Sequence, residues 1–187
     1  QQAGANLARN FDVVVVQTNH RLGVFGFLFL DYLAGPEYQG SGNQGLLDII
    51  AALKWVKENI SVFGGNPDNV MILGESGGGA KTSCLYAMPA AAPYFNKASI
   101  ESGPGVRMLT PEMASQTTSW LLKELQIAPK DWRKLLSVPA AELLRVQSKI
   151  PPVPPSRLKK GKGGSTNSGP VGFGPVVDGD NLPTHPF

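Results

Sequence analysis

Gly74-Glu75-Ser76-Gly77-Gly78 sets a serine between glycines at a spacing that suits a nucleophilic hydroxyl. The chemistry open to such a serine is acyl transfer: attack on a carbonyl, a tetrahedral oxyanion, and collapse to an acyl-enzyme. Two conditions must hold around it. A sharp chain reversal has to lift the side chain clear of the fold, and a backbone N–H has to face the oxyanion. The neighbouring residues predict both. Val70 to Leu73 is a short apolar run of strand type, and a helix is expected to start after Ser76 and end near Met88-Pro89. Turning from strand to helix in so few residues forces residue 76 into a strained conformation, and glycines two before and two after it are expected to let neighbouring segments approach. At the amino end of that helix the Gly77 N–H points outward, toward the place where negative charge would develop. In a chain with 22 glycines the pentapeptide alone is a weak signal; its place between a strand and a helix gives it weight.

The elements that must position this serine follow from periodicity. Ala3 to Arg9 reads as the last turns of a helix, and Val13 to Val16, an unbroken β-branched run, is expected to be a strand buried on both faces. Asn19 to Phe29, interrupted by Gly23 and Gly26, reads as irregular, and Leu33 to Asn43 as a surface loop whose Asn43 can cap the next element. From Gln44 to about Phe63 apolar residues recur at three- and four-residue spacing (Leu46, Leu47, Ile50, Leu53, Val56, Ile60), which predicts an amphipathic helix stopped by Gly64-Gly65. The order strand, helix, strand then predicts a right-handed parallel crossover from Val13–Val16 to Val70–Leu73, with Lys97 to Glu101 as a third strand. This is the α/β class. Beyond Pro111 the patterning is helical without strands: Glu112 to Leu125, Trp132 to Leu136 and Ala140 to Lys149. The expected organisation is thus a core over 1-110 that includes the serine turn, a helical insertion or cap over 111-150, a flexible Pro/Gly/Lys-rich loop over 151-172, and a return toward the core over 173-187. In that return Val176-Val177 reads as a brief strand and Asp178-Gly179 as a turn.

Composition limits the remaining classes. With 187 residues and 42% hydrophobic content the chain can bury a real core. Its net charge of +3 is concentrated in Arg157, Lys159, Lys160 and Lys162 without interleaved aromatics, so no nucleic-acid partner is expected. No apolar run reaches the roughly 20 residues of a membrane span. The single cysteine, Cys84, excludes an intrachain disulfide; flanked by Leu85 on a predicted helix and with no base beside it, it reads as a buried, unreactive thiol. Gln1 to Phe11 lack the features of a signal peptide, and both ends read as internal cuts.

Beyond the serine turn, several segments resemble the type-B carboxylesterase and cholinesterase family. They are Asn19-His20-Arg21-Leu22-Gly23-Val24-Phe25-Gly26-Phe27, Gly42-Asn43-Gln44-Gly45-Leu46-Leu47-Asp48, Ala52 to Ile60, Phe63-Gly64-Gly65-Asn66-Pro67 and Pro175-Val176-Val177-Asp178-Gly179. The resemblance implies a partial α/β-hydrolase fold, a mostly parallel sheet with helices on both faces plus a helical insertion. It implies Ser76 as nucleophile, Gly77 as one oxyanion-hole donor, Glu75 at the base of the substrate gorge, and Ser102 close to the active site. The implied partner is a small-molecule carboxylic ester, with no metal and no organic cofactor. In that family the glycine pair completing the oxyanion hole lies upstream of this segment, and the acid and histidine downstream, so the chain taken alone is expected to be inactive. Neither histidine is read as the missing base: His20 precedes the nucleophile, against the order serine, acid, histidine, and His185 falls in a loop ahead of the expected acid. Asp48 is assigned to the positive end of its helix, Asp178 to a turn, Arg21 and Asn43 to scaffold, and Trp55 to packing. The rival readings are a non-catalytic binding or adhesion protein of the same fold and a lipase or amidase.

Overall fold

Apolar spacing and glycine placement produce nine regular elements among the described residues of this computed structural model, which are 4–150 and 172–187. The helices are α1 (Ala5–Phe11), α2 (Gly23–Phe27), α3 (Asp31–Ala34), α4 (Gln44–Asn59), α5 (Gly77–Ala87), α6 (Pro111–Glu124) and α7 (Ala140–Gln147), and the strands are β1 (Met71–Glu75) and β2 (Lys97–Glu101). Helix α4 buries Gly45, Leu46, Leu53 and Val56, the stripe that its three- and four-residue spacing predicts. A 3-10 turn over Ile60–Phe63 extends it until Gly64, at φ 81°, closes it.

Strands β1 and β2 run parallel in register, from Met71 opposite Lys97 to Glu75 opposite Glu101. The connection between them is α5, whose Ala80, Cys84 and Leu85 turn inward. Leu46 and Leu53 of α4, Ile72 of β1, Cys84 and Leu85 of α5, Phe27 of α2 and the distant Leu182 make one buried cluster. Apolar burial at roughly 25 cal/mol per Å² is what fixes α5 against the sheet.

The expected crossover from Val13–Val16 to β1 is not formed. Val13–Val16 pairs with no strand among the described residues, and Val13, Val14 and Val16 remain 44–46% exposed. These residues and Met71, Ile72 and Leu73 line one cavity of about 770 Å³. The physical reason is that β-branching suits side chains to a sheet, whereas a strand exists only when a neighbouring backbone takes its N–H and C=O groups. The parallel crossover in the structure is β1–α5–β2 instead.

Two segments expected to be irregular are more ordered. Within Asn19–Phe29, α2 forms because Gly23 takes φ 54° and Gly26 lies so close to the Arg21 carbonyl that a Cβ would collide with it. Within Leu33–Asn43 the chain winds through 3-10 turns at Pro36–Tyr38 and Ser41–Asn43. The Asp31 carboxylate gathers them, accepting from the Gly40 N–H at 2.9 Å and the Ser41 hydroxyl at 2.7 Å.

The helices beyond residue 110 lie near their expected places. Pro111 occupies the first turn of α6, and the Thr110 hydroxyl accepts from the Met113 N–H at 3.4 Å as its cap. Leu121 and Leu122 of α6, Trp132 and Leu135 of the following 3-10 segment and Val146 of α7 pack with Val24, Leu30 and Ala34 into a second buried cluster. The loop expected over 151-172 falls, apart from Gly172, outside the described residues. In the return segment the expected strand reduces to a single parallel bridge between Leu109 and Val176. The turn at Asp178-Gly179 is present, with Gly179 at φ 80° and the Asp178 carboxylate accepting from the amides of Asp180 and Leu182.

Asn43 occupies the N-cap position of α4, but its side chain makes no capping bond there. It is wholly buried, its Nδ2 donates to the Val176 carbonyl at 2.7 Å, and its Oδ1 accepts from the Val176 N–H at 3.0 Å. Asp48 likewise serves something other than its helix dipole. Its two oxygens take the Arg21 guanidinium at 2.8 and 2.6 Å and the Arg21 N–H at 2.9 Å.

Candidate active site

Ser76 joins β1 to α5 with φ 52° and ψ −117°, a left-handed conformation that costs a non-glycine residue on the order of 1–3 kcal/mol. The surrounding backbone holds it there. The Ser76 N–H donates to the Glu101 carbonyl of β2 at 2.9 Å, and its own carbonyl accepts from the Ala80 N–H at 3.1 Å. That second bond begins α5, so the amides of Gly77 to Gly79 precede the first intrahelical bond and are free to face a ligand. Ser76 and Gly77 are exposed, which brings the expected hydroxyl and the expected oxyanion donor to the surface together at the carboxyl end of β1.

Close approach at this turn depends on glycines, though not on the expected pair. Gly74 is required, because a Cβ there would collide with the Gly78 backbone. Gly78 itself faces open space. The other two required positions are Gly79, where a Cβ would lie 2.9 Å from the Glu101 carbonyl, and Gly103, where it would collide with the Ser76 backbone. Neither stands out in the sequence, since the segments they approach are brought in by the parallel pairing of β1 with β2.

Glu75 ends β1 with an exposed side chain, across from Glu101 in the register. Ser102 follows β2 at φ 52° and is exposed on the loop that carries Gly103 against Ser76. Cys84 is fully buried, and burial pushes its thiol up to about 12, so it carries no thiolate at neutral pH.

Among the described residues neither histidine hydrogen-bonds to Ser76. His185 Nδ1 accepts from the Met108 N–H at 3.2 Å, and burial, then Arg107, lowers its pKa. His20 is half-buried; both ring nitrogens are shut off from solvent without a hydrogen-bond partner. Burial lowers its pKa, as does the Lys81 ammonium, while the Asp48 carboxylate opposes them. Asp48 and Asp178 are engaged by Arg21 and by the return turn. No group of three or more His, Cys, Asp or Glu side chains with metal-binding geometry occurs among the described residues.

One charged side chain at the turn goes unremarked in the sequence. Lys81, half-buried on α5, sends its ammonium back one turn to the Gly77 carbonyl at 3.1 Å, with the Phe27 ring centroid 5.9 Å away.

A parallel sheet, a left-handed serine at the strand end and a helix starting directly after it define an α/β-hydrolase fold, here in part. Within that fold the chain belongs to the carboxylesterase family, whose model matches residues 1–187. The para-nitrobenzyl esterase of Bacillus subtilis (strain 168) is 42% identical over 183 residues, covering 98% of this chain and 35% of that protein. A cholinesterase of Mus musculus is 34% identical over 190 residues, covering 98% of this chain and 29% of the relative. The crystal structure of Geobacillus stearothermophilus carboxylesterase EST55 at pH 6.8 superposes with a TM-score of 0.82 at 42% identity, over 98% of this chain and 36% of that one. The chain thus spans about a third of the length of these relatives.

Proposed function

We propose that this chain carries the nucleophile of a serine esterase that cleaves small carboxylic esters through an acyl-enzyme. Ser76 Oγ attacks the ester carbonyl and its proton passes to a histidine supplied elsewhere in the whole protein. The oxyanion is held by the Gly77 N–H, and the alcohol leaves with the proton returned by that histidine. Water then attacks the acyl group on Ser76 by the same route and releases the acid. Glu75 borders the substrate at the strand end, Ser102 supports the turn from the loop after β2, and the helices of 111-150, packed on α2 and α3, form a cap. The observation that carries this reading is the strained backbone of Ser76 at the start of α5, which leaves its side chain exposed beside the first amides of the helix. Ester hydrolysis is also what the names of the B. subtilis and G. stearothermophilus relatives state for those proteins.

The decisive experiment is covalent labelling of the full-length protein by a fluorophosphonate. Labelling mapped to Ser76, and lost in Ser76→Ala, is expected; an unlabelled but folded protein would abolish the esterase reading and leave a binding protein of the same fold. The 187-residue chain alone, without base or complete oxyanion hole, is expected to turn over a short-chain nitrophenyl ester no faster than Ser76→Ala, because these parts act as a unit.

A further inference from the structure

The first turn of α5 combines two opposed properties. Its Gly77 N–H must be held in place before the substrate arrives, since preorganised donors are what stabilise an oxyanion. Yet it is built from Gly77-Gly78-Gly79, the residues with the greatest backbone freedom and low helix propensity. Of the three, only Gly79 is demanded by close backbone packing; a Cβ at Gly78 would meet nothing within 4 Å, and one at Gly77 would meet only Lys81 Nζ, at 3.6 Å.

Lys81 stands in an unfavourable place for a cation. A lysine is most stable near a helix carboxyl end, where the dipole is negative. Here the long side chain of the half-buried Lys81 runs toward the amino end, as helical χ1 preferences direct it, and its ammonium reaches the first turn of α5. Its surroundings hold it there: the Gly77 carbonyl accepts from it at 3.1 Å and the Phe27 ring of α2 faces it at 5.9 Å. The other charged or titratable groups that bear on it are His20, which Asp48 flanks, and Cys84 on the same helix.

We infer that Lys81 is a positioning residue for the oxyanion-binding turn: its ammonium clamps the Gly77 carbonyl from behind and fixes a turn of three glycines. This rests on the esterase reading. Because burial lowers the Lys81 pKa below that of an ordinary lysine, the clamp releases at a lower pH than a solvated lysine would allow, and the rate falls with it on the alkaline side.

The test uses the full-length protein with a nitrophenyl ester and a fluorophosphonate, comparing wild type, Lys81→Met and Lys81→Arg. Lys81→Met is expected to lower kcat about ten- to a hundredfold, less than the full loss of an oxyanion donor, with KM changed less than about threefold. Lys81→Arg is expected to restore most of kcat and to move the alkaline limb of the kcat profile upward, since guanidinium does not titrate there. Unchanged kcat in a folded Lys81→Met, or a loss confined to KM, overturns the inference. If Lys81→Met does not fold, the Lys81→Arg profile decides: an alkaline limb identical to wild type overturns it. A wild-type protein that the fluorophosphonate never labels refutes the esterase reading itself, a result distinct from any of these.

Discussion

Ser76 is kept at φ 52° by hydrogen bonds of its backbone to β2 and α5, while its hydroxyl plays no part in the bend. Strain and chemistry can therefore be separated by substitution. Ser76→Gly removes the hydroxyl and the left-handed penalty together, and Ser76→Ala removes only the hydroxyl. Urea unfolding of the two variants is expected to find Ser76→Gly the more stable by about 1 kcal/mol, the glycine allowance at positive φ, with neither variant labelled by a fluorophosphonate. Equal stability would mean that the turn stores no strain. The residue type at 76 and its glycine neighbour at 74 were legible, because the pentapeptide lies between local strand and helix signals. Gly79, Gly103 and Lys81 were not, because what makes each of them matter is a neighbour that only the folded turn supplies.

Between elements, polar side chains connect segments that the sequence keeps far apart. Asn43 joins the start of α4 to the return segment across 133 residues, pairing with both the N–H and the C=O of the fully buried Val176. Asn43→Ala leaves those two groups without partners, at about 1–3 kcal/mol each, so the midpoint of urea unfolding is expected to fall by an amount equivalent to about 2–6 kcal/mol. A fall no larger than that of an exposed asparagine would show the bonds to be incidental. The Arg21–Asp48 pair ties the segment before α2 to α4, with side chains 50% and 26% exposed, so solvent limits it to about 1 kcal/mol or less. The hydrogen bond from Arg21 holds the Asp48 carboxyl below its usual range. Its contribution is complete above the unfolded carboxyl pKa of about 4 and is lost as pH falls through the lower folded value. Unfolding measured between pH 7 and pH 2 should therefore lose less stability in Asp48→Asn than in wild type; parallel curves would rule out this linkage. Helices α4 and α6 were readable in outline from apolar spacing and Asn43 as scaffold, whereas the partners of Asn43 and Asp48 were not, since a polar side chain takes whatever donor or acceptor the fold brings to it.

At the scale of the molecule, the cavity of about 770 Å³ between Val13–Val16 and β1 is lined by apolar residues on both sides. Val13, Val14, Val16, Met71 and Leu73 are all more than two-fifths exposed. Apolar patches beside unpaired backbone favour association with other chains. The 187-residue chain on its own is expected to bind a hydrophobic dye and to elute from size-exclusion columns above its monomer size. Val14→Lys combined with Met71→Lys is expected to shift it toward monomer. Monomeric elution of the unsubstituted chain without dye binding would contradict this.

The sequence by itself determined the elements whose causes are local: the α4 stripe, the proline-started α6, and the strand, serine and helix between Val70 and Met88. It also carried the family, because a series of short motifs in order survives without coordinates. Tertiary structure alone decided whether Val13–Val16 joins the sheet, which glycines the serine turn requires, and where Lys81 and Asn43 send their side chains. The difference is physical: backbone preference and apolar periodicity act over a few residues, whereas hydrogen-bond partners, strand pairing and close backbone approach depend on segments that meet only when the chain has folded.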